Sequence, residues 1–179
     1  MISIGLLLLR LTLGLVFILH GAQKLFSAFG GHGLTGSAQF MNTLRLRPAK
    51  FWATAAALGE FLGGILLVVG LFTPLAALLI IAVMLVAIMK VHIHKGFWNS
   101  QGGYEYNLVL AAIAVVLGLT GAGAYSLDTV FALGMPEPQT FLLGLLALLI
   151  LLMVALSILP WLEQRRQLWK ERLHRPSHA

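Results

Sequence analysis

The chain has 179 residues, of which 59% are hydrophobic and only 10% charged, and its mean hydropathy is +0.93. That composition excludes a soluble globular domain, and at this length several spans leave no room for a second unit. The formal charge of +6 points to anionic lipid headgroups and not to nucleic acid, because the basic residues flank apolar runs. There is no cysteine, which excludes disulfides, thiolate metal sites and a dithiol relay within the chain. The start, Met1 to Gly5, has no basic n-region and no small-residue cleavage site follows, so the first span is expected to persist.

Five runs approach the roughly 20 apolar residues that a membrane-spanning helix needs. They fall at residues 3–26, 50–72, 74–94, 104–123 and 140–161. Between the first two, Gly30-Gly31-His32-Gly33 leads into Ser37–Leu46, whose Phe40, Met41 and Leu44 form an apolar stripe, predicting a surface or re-entrant helix. Thr73-Pro74 reads as an N-cap followed by proline at the first helical position, which makes the turn between the second and third runs very tight. Gly121-Ala122-Gly123 ends the fourth run, and Ser126 is placed to cap a short turn through Leu127, Asp128 and Thr129. The fifth run, Phe141 to Leu159, has no ionisable group on any face and is expected at the periphery. Pro160 and Trp161 mark its interface, and Trp169 lies in a basic tail expected to form a surface helix.

Orientation follows from Lys and Arg. Lys24, Arg45, Arg47 and Lys50 fall in the first loop, Lys90 and Lys95 in the third, and Arg165, Arg166, Lys170, Arg172 and Arg175 in the tail. With five spans all of these share one side, whereas the side holding the amino terminus, Thr73, Asp128 and Glu137 has none. The positive-inside rule then places the amino terminus outside and the tail in the cytoplasm. The fold expected is all-α integral membrane: a four-helix transmembrane bundle over residues 1–130, an outer loop and peripheral fifth transmembrane helix over 131–162, short interfacial helices, and a cytoplasmic tail over 163–179.

Within Ala53 to Gly64, Glu60 places a carboxylate inside a span, where it must face the bundle and find a partner. Ala53, Ala56, Ala57, Gly63 and Gly64 share its face, and small residues there admit a neighbouring helix closely. In the first span Arg10, Gly14, Phe17, Gly21 and Lys24 form one stripe, with His20 a turn from Lys24. Depth counting pairs Arg10 with Glu60, either as a structural ion pair or as part of a site.

Alternating helix directions bring His20 and Lys24, then Lys90, His92 and His94, then Glu105, Tyr106 and Asn107 to one cytoplasmic mouth above Glu60. Histidine and carboxylate groups there are candidates for proton transfer to a small molecule. Duller readings stand beside this one. The lysines snorkel to headgroups, Glu105 caps the fourth helix, and the i, i+2 spacing of His92 and His94 keeps both rings off one helix face, so no metal site is expected.

These residues carry a resemblance. Leu9-Arg10-Leu11 through His20-Gly21-Ala22-Gln23-Lys24-Leu25-Phe26, Gly59-Glu60-Phe61-Leu62-Gly63-Gly64, Gly70-Leu71-Phe72-Thr73-Pro74, Val91-His92, Gly103-Tyr104-Glu105-Tyr106-Asn107 and Gly121 to Asp128 together resemble the DoxX family of bacterial membrane proteins. The resemblance covers about residues 5–130. It implies a four-helix bundle related to subunits of thiosulfate–quinone oxidoreductases and to proteins linked with thiol or oxidative-stress systems. Ala122 stands where the family often has proline, and the fifth span and basic tail are additions.

The expected function is an inner-membrane component of a quinone- or thiol-linked redox system that binds a small lipophilic molecule. His20, Glu60, His92 and Glu105 are the candidate catalytic groups, and Arg10, Lys24, Tyr106, Asn107 and Asp128 the candidate ligand-binding groups. Quinone is the cofactor candidate. The lipid bilayer is the expected partner, with a soluble or membrane redox partner supplying electrons and a homo-oligomer as a further expectation. The alternatives are a non-enzymatic binding, transport or assembly factor, or a membrane anchor for a soluble protein.

Overall fold

The computed structural model describes residues 1–133 and 138–173, less the side chains of residues 160, 163 and 167–173. Its helices are α1 (Ile2–Phe26), α2 (Gly33–Thr43), α3 (Ala49–Val69), α4 (Thr73–Ala87), α5 (Glu105–Thr120), one-turn α6 (Leu127–Val130) and α7 (Gln139–Leu173). Four stretches, Ile2–Phe26, Ala49–Val69, Thr73–Lys95 and Gln139–Arg166, are long and apolar enough to cross a bilayer. The protein is therefore a multi-pass helical bundle with an appended helix. The 16 residues of α5 reach about 24 Å at 1.5 Å per residue, yet they join the same two ends as their longer neighbours. His92 binds the loop before α5, and Arg10 binds the loop after it.

The closest crossing is between antiparallel α1 and α3, and small residues make it. A Cβ on Gly64 would lie 2.7 Å from the Gly14 carbonyl oxygen, and one on Gly21 would lie 2.6 Å from the Phe61 backbone nitrogen. Without a hydrophobic force between helices in lipid, such backbone proximity is what holds them together. Gly21→Val should force the helices apart at the level of Glu60, a loss of about 1–3 kcal/mol, read as a lowered unfolding midpoint in detergent. An unchanged midpoint would mean the crossing is not tight. Around this contact Leu13, Phe17, Leu67, Ala77, Ile80, Ala114 and Leu117 fill the core between α1, α3, α4 and α5.

The turn from α3 to α4 is as short as expected, but it is capped differently. Phe72, not Thr73, holds the cap position at φ 48, and Thr73 is the first helical residue, its buried Oγ1 without a hydrogen-bond partner among the described residues. The cap comes from far along the chain: Asp128 accepts from Phe72 N at 2.7 Å and from Thr73 N at 3.0 Å. Pro74 sits in the first turn as expected. Ser126 also does as its sequence predicts, accepting from Thr129 N at 3.2 Å to cap α6.

The loop helix begins four residues earlier than its apolar stripe suggested and ends at Thr43, where Arg45 turns into the left-handed region at φ 58. Its Met41 packs with Leu46, Trp52 and Ala53 in a second small core, against which Ala155 and Leu156 of α7 lie. The far end of α7 is fixed by Phe141, fully buried against Gly118. The α7 backbone continues unbroken to Leu173, so the expected span and tail helix are one rod. At the expected interface Arg165 stacks over the Trp161 ring, 5.0 Å from its centroid. The Pro160 and Trp169 side chains, Glu137 and residues 174–179 lie outside the described residues.

Candidate functional site

The polar residues form two clusters at opposite ends of the bundle. At the amino-terminal end Arg10, fully buried, donates to the carbonyl oxygens of Ala122, at 2.9 Å, and Tyr125. It lies against Gly70, whose left-handed φ of 67 and missing Cβ leave room for the guanidinium. Asp128 acts on it electrostatically while capping α4. Arginine thus ties α1 to the loop that follows α5.

This overturns the expected Arg10–Glu60 pair. The crossing sets Gly14 beside Gly64 and Gly21 beside Phe61, so Glu60 lies near the level of His20. Arg10 is ten residues away along α1, roughly 15 Å at 1.5 Å per residue, too far for its side chain. Glu60 instead forms a salt bridge with Lys24, its side chain 4% exposed against 29% for the lysine. Counting depth separately from each helix start missed this, because the two helices do not begin at the same height.

At the tail-side end a cavity of about 770 Å³ opens among α1, α2, α3, α4 and α5, with Leu152 of α7 completing one wall. His20, Lys24, Glu60, His92, Tyr106 and Asn107 all line it, so six of the nine expected site residues share one space. The α4 helix widens into a π-turn over Ile88–His92 as it reaches the cavity, a distortion frequent at functional sites. The turn places His92 Nδ1 2.7 Å from Gly102 O. Asn107 Nδ2 donates to Met84 Sδ at 3.4 Å. Most of the remaining wall is apolar, with Phe17, Met41, Trp52, Val83 and Leu110 the larger members. The volume falls within the range of sites for small organic molecules, and an apolar chamber with a few convergent polar groups suits an amphiphile.

The other expected residues are elsewhere. Arg10 and Asp128 belong to the amino-terminal cluster. Glu105 accepts from Asn99 N at 3.0 Å and steadies the turn before α5, near its duller reading as a helix cap. Lys90 and His94 are exposed and do not line the cavity.

Comparison with known proteins agrees with this architecture. The DoxX family profile matches residues 5–93. The chain is 32% identical over 126 residues to a putative oxidoreductase, CatD, of Bacillus subtilis, covering 70% of this chain and 86% of that one. It is 31% identical over 132 residues to the inner membrane protein YphA of Escherichia coli, covering 69% and 87%. The chain belongs to the DoxX family. An uncharacterized protein of Haemophilus influenzae is similar to the same degree, 32% over 130 residues. No solved structure is a significant match.

The DoxX match takes in α1 to α4 and with them His20, Lys24, Glu60 and His92, while Tyr106, Asn107 and all of α7 lie beyond it. Sequence reasoning missed Gln23, His32, Trp52 and Asn99, which also line the cavity. Gln23 was visible in the DoxX motif beside Lys24. His32 joins the site at the start of α2, Trp52 from α3 and Asn99 from the turn before α5, a convergence of three segments that no local pattern announces.

Proposed function

We propose that this protein is an inner-membrane component of a redox system and holds a small lipophilic molecule, with quinone as the candidate, in the tail-side cavity. The observation that carries the reading is the cavity itself, a largely apolar chamber whose ionisable lining includes Lys24, Glu60, His20 and His92. The name of the Bacillus relative, a putative oxidoreductase, and that of the Escherichia relative, an inner membrane protein, agree with it. The distribution of Lys and Arg supports an external amino terminus and a cytoplasmic cavity mouth.

In this reading Glu60 and His92 take up and return protons, Lys24 holds the Glu60 carboxylate in place, and Tyr106 and Asn107 orient the head of the bound molecule. Electrons come from a partner protein at the cytoplasmic face. The test is to extract the purified protein for a bound lipophile and to measure quinone reduction in membranes carrying His92→Phe. A recovered quinone and at least a tenfold fall in reduction are expected. An extract without quinone, together with unchanged reduction, would replace the redox reading by simple binding or anchoring.

A further inference from the structure

The bundle carries a second hollow, an apolar groove of about 410 Å³ between α1 and α5. Because α1 packs mainly on α3 and α5 mainly on α4, these two helices meet each other only loosely. The groove and the cavity are parts of one path. Along α1, Gly5, Leu9, Thr12 and Val16 line the groove, and Phe17, His20 and Lys24 carry the same line on into the cavity. Along α5, Tyr106 and Asn107 belong to the cavity, Ile113 to the groove, and Leu110 to both. Leu110 is the junction. On its cavity side His20 and Tyr106 are both exposed, so the wall is not sealed where the groove leads away.

Depth decides what fits this path. Since α1 runs from Ile2 to Phe26, a groove over Gly5 to Val16 lies at mid-membrane and in the half opposite the cavity. The path from His20 to Gly5 is roughly 22 Å long at 1.5 Å per residue, whereas one leaflet of the hydrocarbon core is about 15 Å deep. A phospholipid with its head in the cavity would run out of chain near the midplane, and one from the opposite leaflet has its head at the wrong end. Neither fills both hollows. Unfilled apolar space forfeits packing contacts, which favours one continuous occupant. We infer that the α1–α5 groove is the tail subsite of the cavity, and that the ligand is a lipid whose apolar tail, of polyisoprenoid length, crosses the midplane. The inference rests on the cavity being a ligand site, as proposed above, and adds where the tail goes and how long it must be.

The test compares two benzoquinones with one head, carrying a single isoprene unit or four, at equal mole fraction in phospholipid nanodiscs that hold the full-length protein. Binding is read as quenching of Trp52, which lines the cavity, taken as the part of the signal that Trp52→Phe removes. The long-tailed quinone should bind at least fivefold more tightly. Thr12→Phe, at an exposed position in the groove, should abolish that gain and leave the affinity of the short-tailed quinone unchanged. Gly5→Phe, where a Cβ would meet no described atom within 4 Å, should lower the gain at least twofold. Equal affinities in the unaltered protein, or a gain that survives both variants, would overturn the tail subsite and leave the cavity a ligand site. If neither quinone binds, the cavity reading falls and the subsite with it. Because the first comparison uses the unaltered protein, a variant that fails to fold does not obscure it.

Discussion

Replacing Arg10 with leucine should destabilise the protein by about 3–5 kcal/mol, the range for breaking a buried charged contact from one side. The guanidinium is fully buried and closes two hydrogen bonds to the Ala122 and Tyr125 carbonyls, 112 and 115 residues away in the chain. Leucine leaves both carbonyls unpaired and Asp128 without a facing cation. Arg10→Lys should recover only part of the loss, because one ammonium cannot reproduce the fork that reaches both carbonyls. Unfolding in detergent followed by circular dichroism provides the measurement. Probe binding at the far cavity should survive in whatever fraction of Arg10→Leu stays folded. Stability equal to that of the unaltered protein would show that the amino-terminal knot is not an anchor.

The second large effect lies at the other end, and its asymmetry is the informative part. Lys24→Met should cost about 3 kcal/mol or more, since it strands a carboxylate whose side chain is only 4% exposed. Glu60→Leu should cost less, because the freed lysine, 29% exposed, can extend toward the headgroups. The double variant should be more stable than Lys24→Met alone, giving a coupling of roughly 1–3 kcal/mol in a double-mutant cycle. Additive losses would deny the pair.

Much of the bundle was legible because lipid imposes strict local rules. A backbone in hydrocarbon must satisfy its own hydrogen bonds, so each long apolar run becomes a helix. Gly121, Ser126 and Pro74 then mark ends by their own φ preferences and capping chemistry. The face of α1 that carries Arg10, Phe17 and Lys24 was likewise readable, since helical spacing alone selects it. That Glu60 needs a partner also followed from its place in a span. Which partner it takes did not.

Partner choice depends on register between helices far apart in the chain, and here Gly14 against Gly64 and Gly21 against Phe61 decide it. Fourteen residues along α1 separate Arg10, the arginine that periodicity offered, from Lys24, the lysine that Glu60 meets. The cap on α4 is decided in the same way, by an aspartate more than fifty residues downstream.

By itself the sequence determined that this chain lies in a membrane, roughly where its apolar helices run, and that charged groups must turn inward, because each of these is settled within a few turns of one helix. Only the tertiary structure divided those charges into an anchoring knot at one end and a ligand-sized chamber at the other. That division depends on how closely backbones approach at their glycines and on α2 folding over the mouth, and neither is encoded in any one segment.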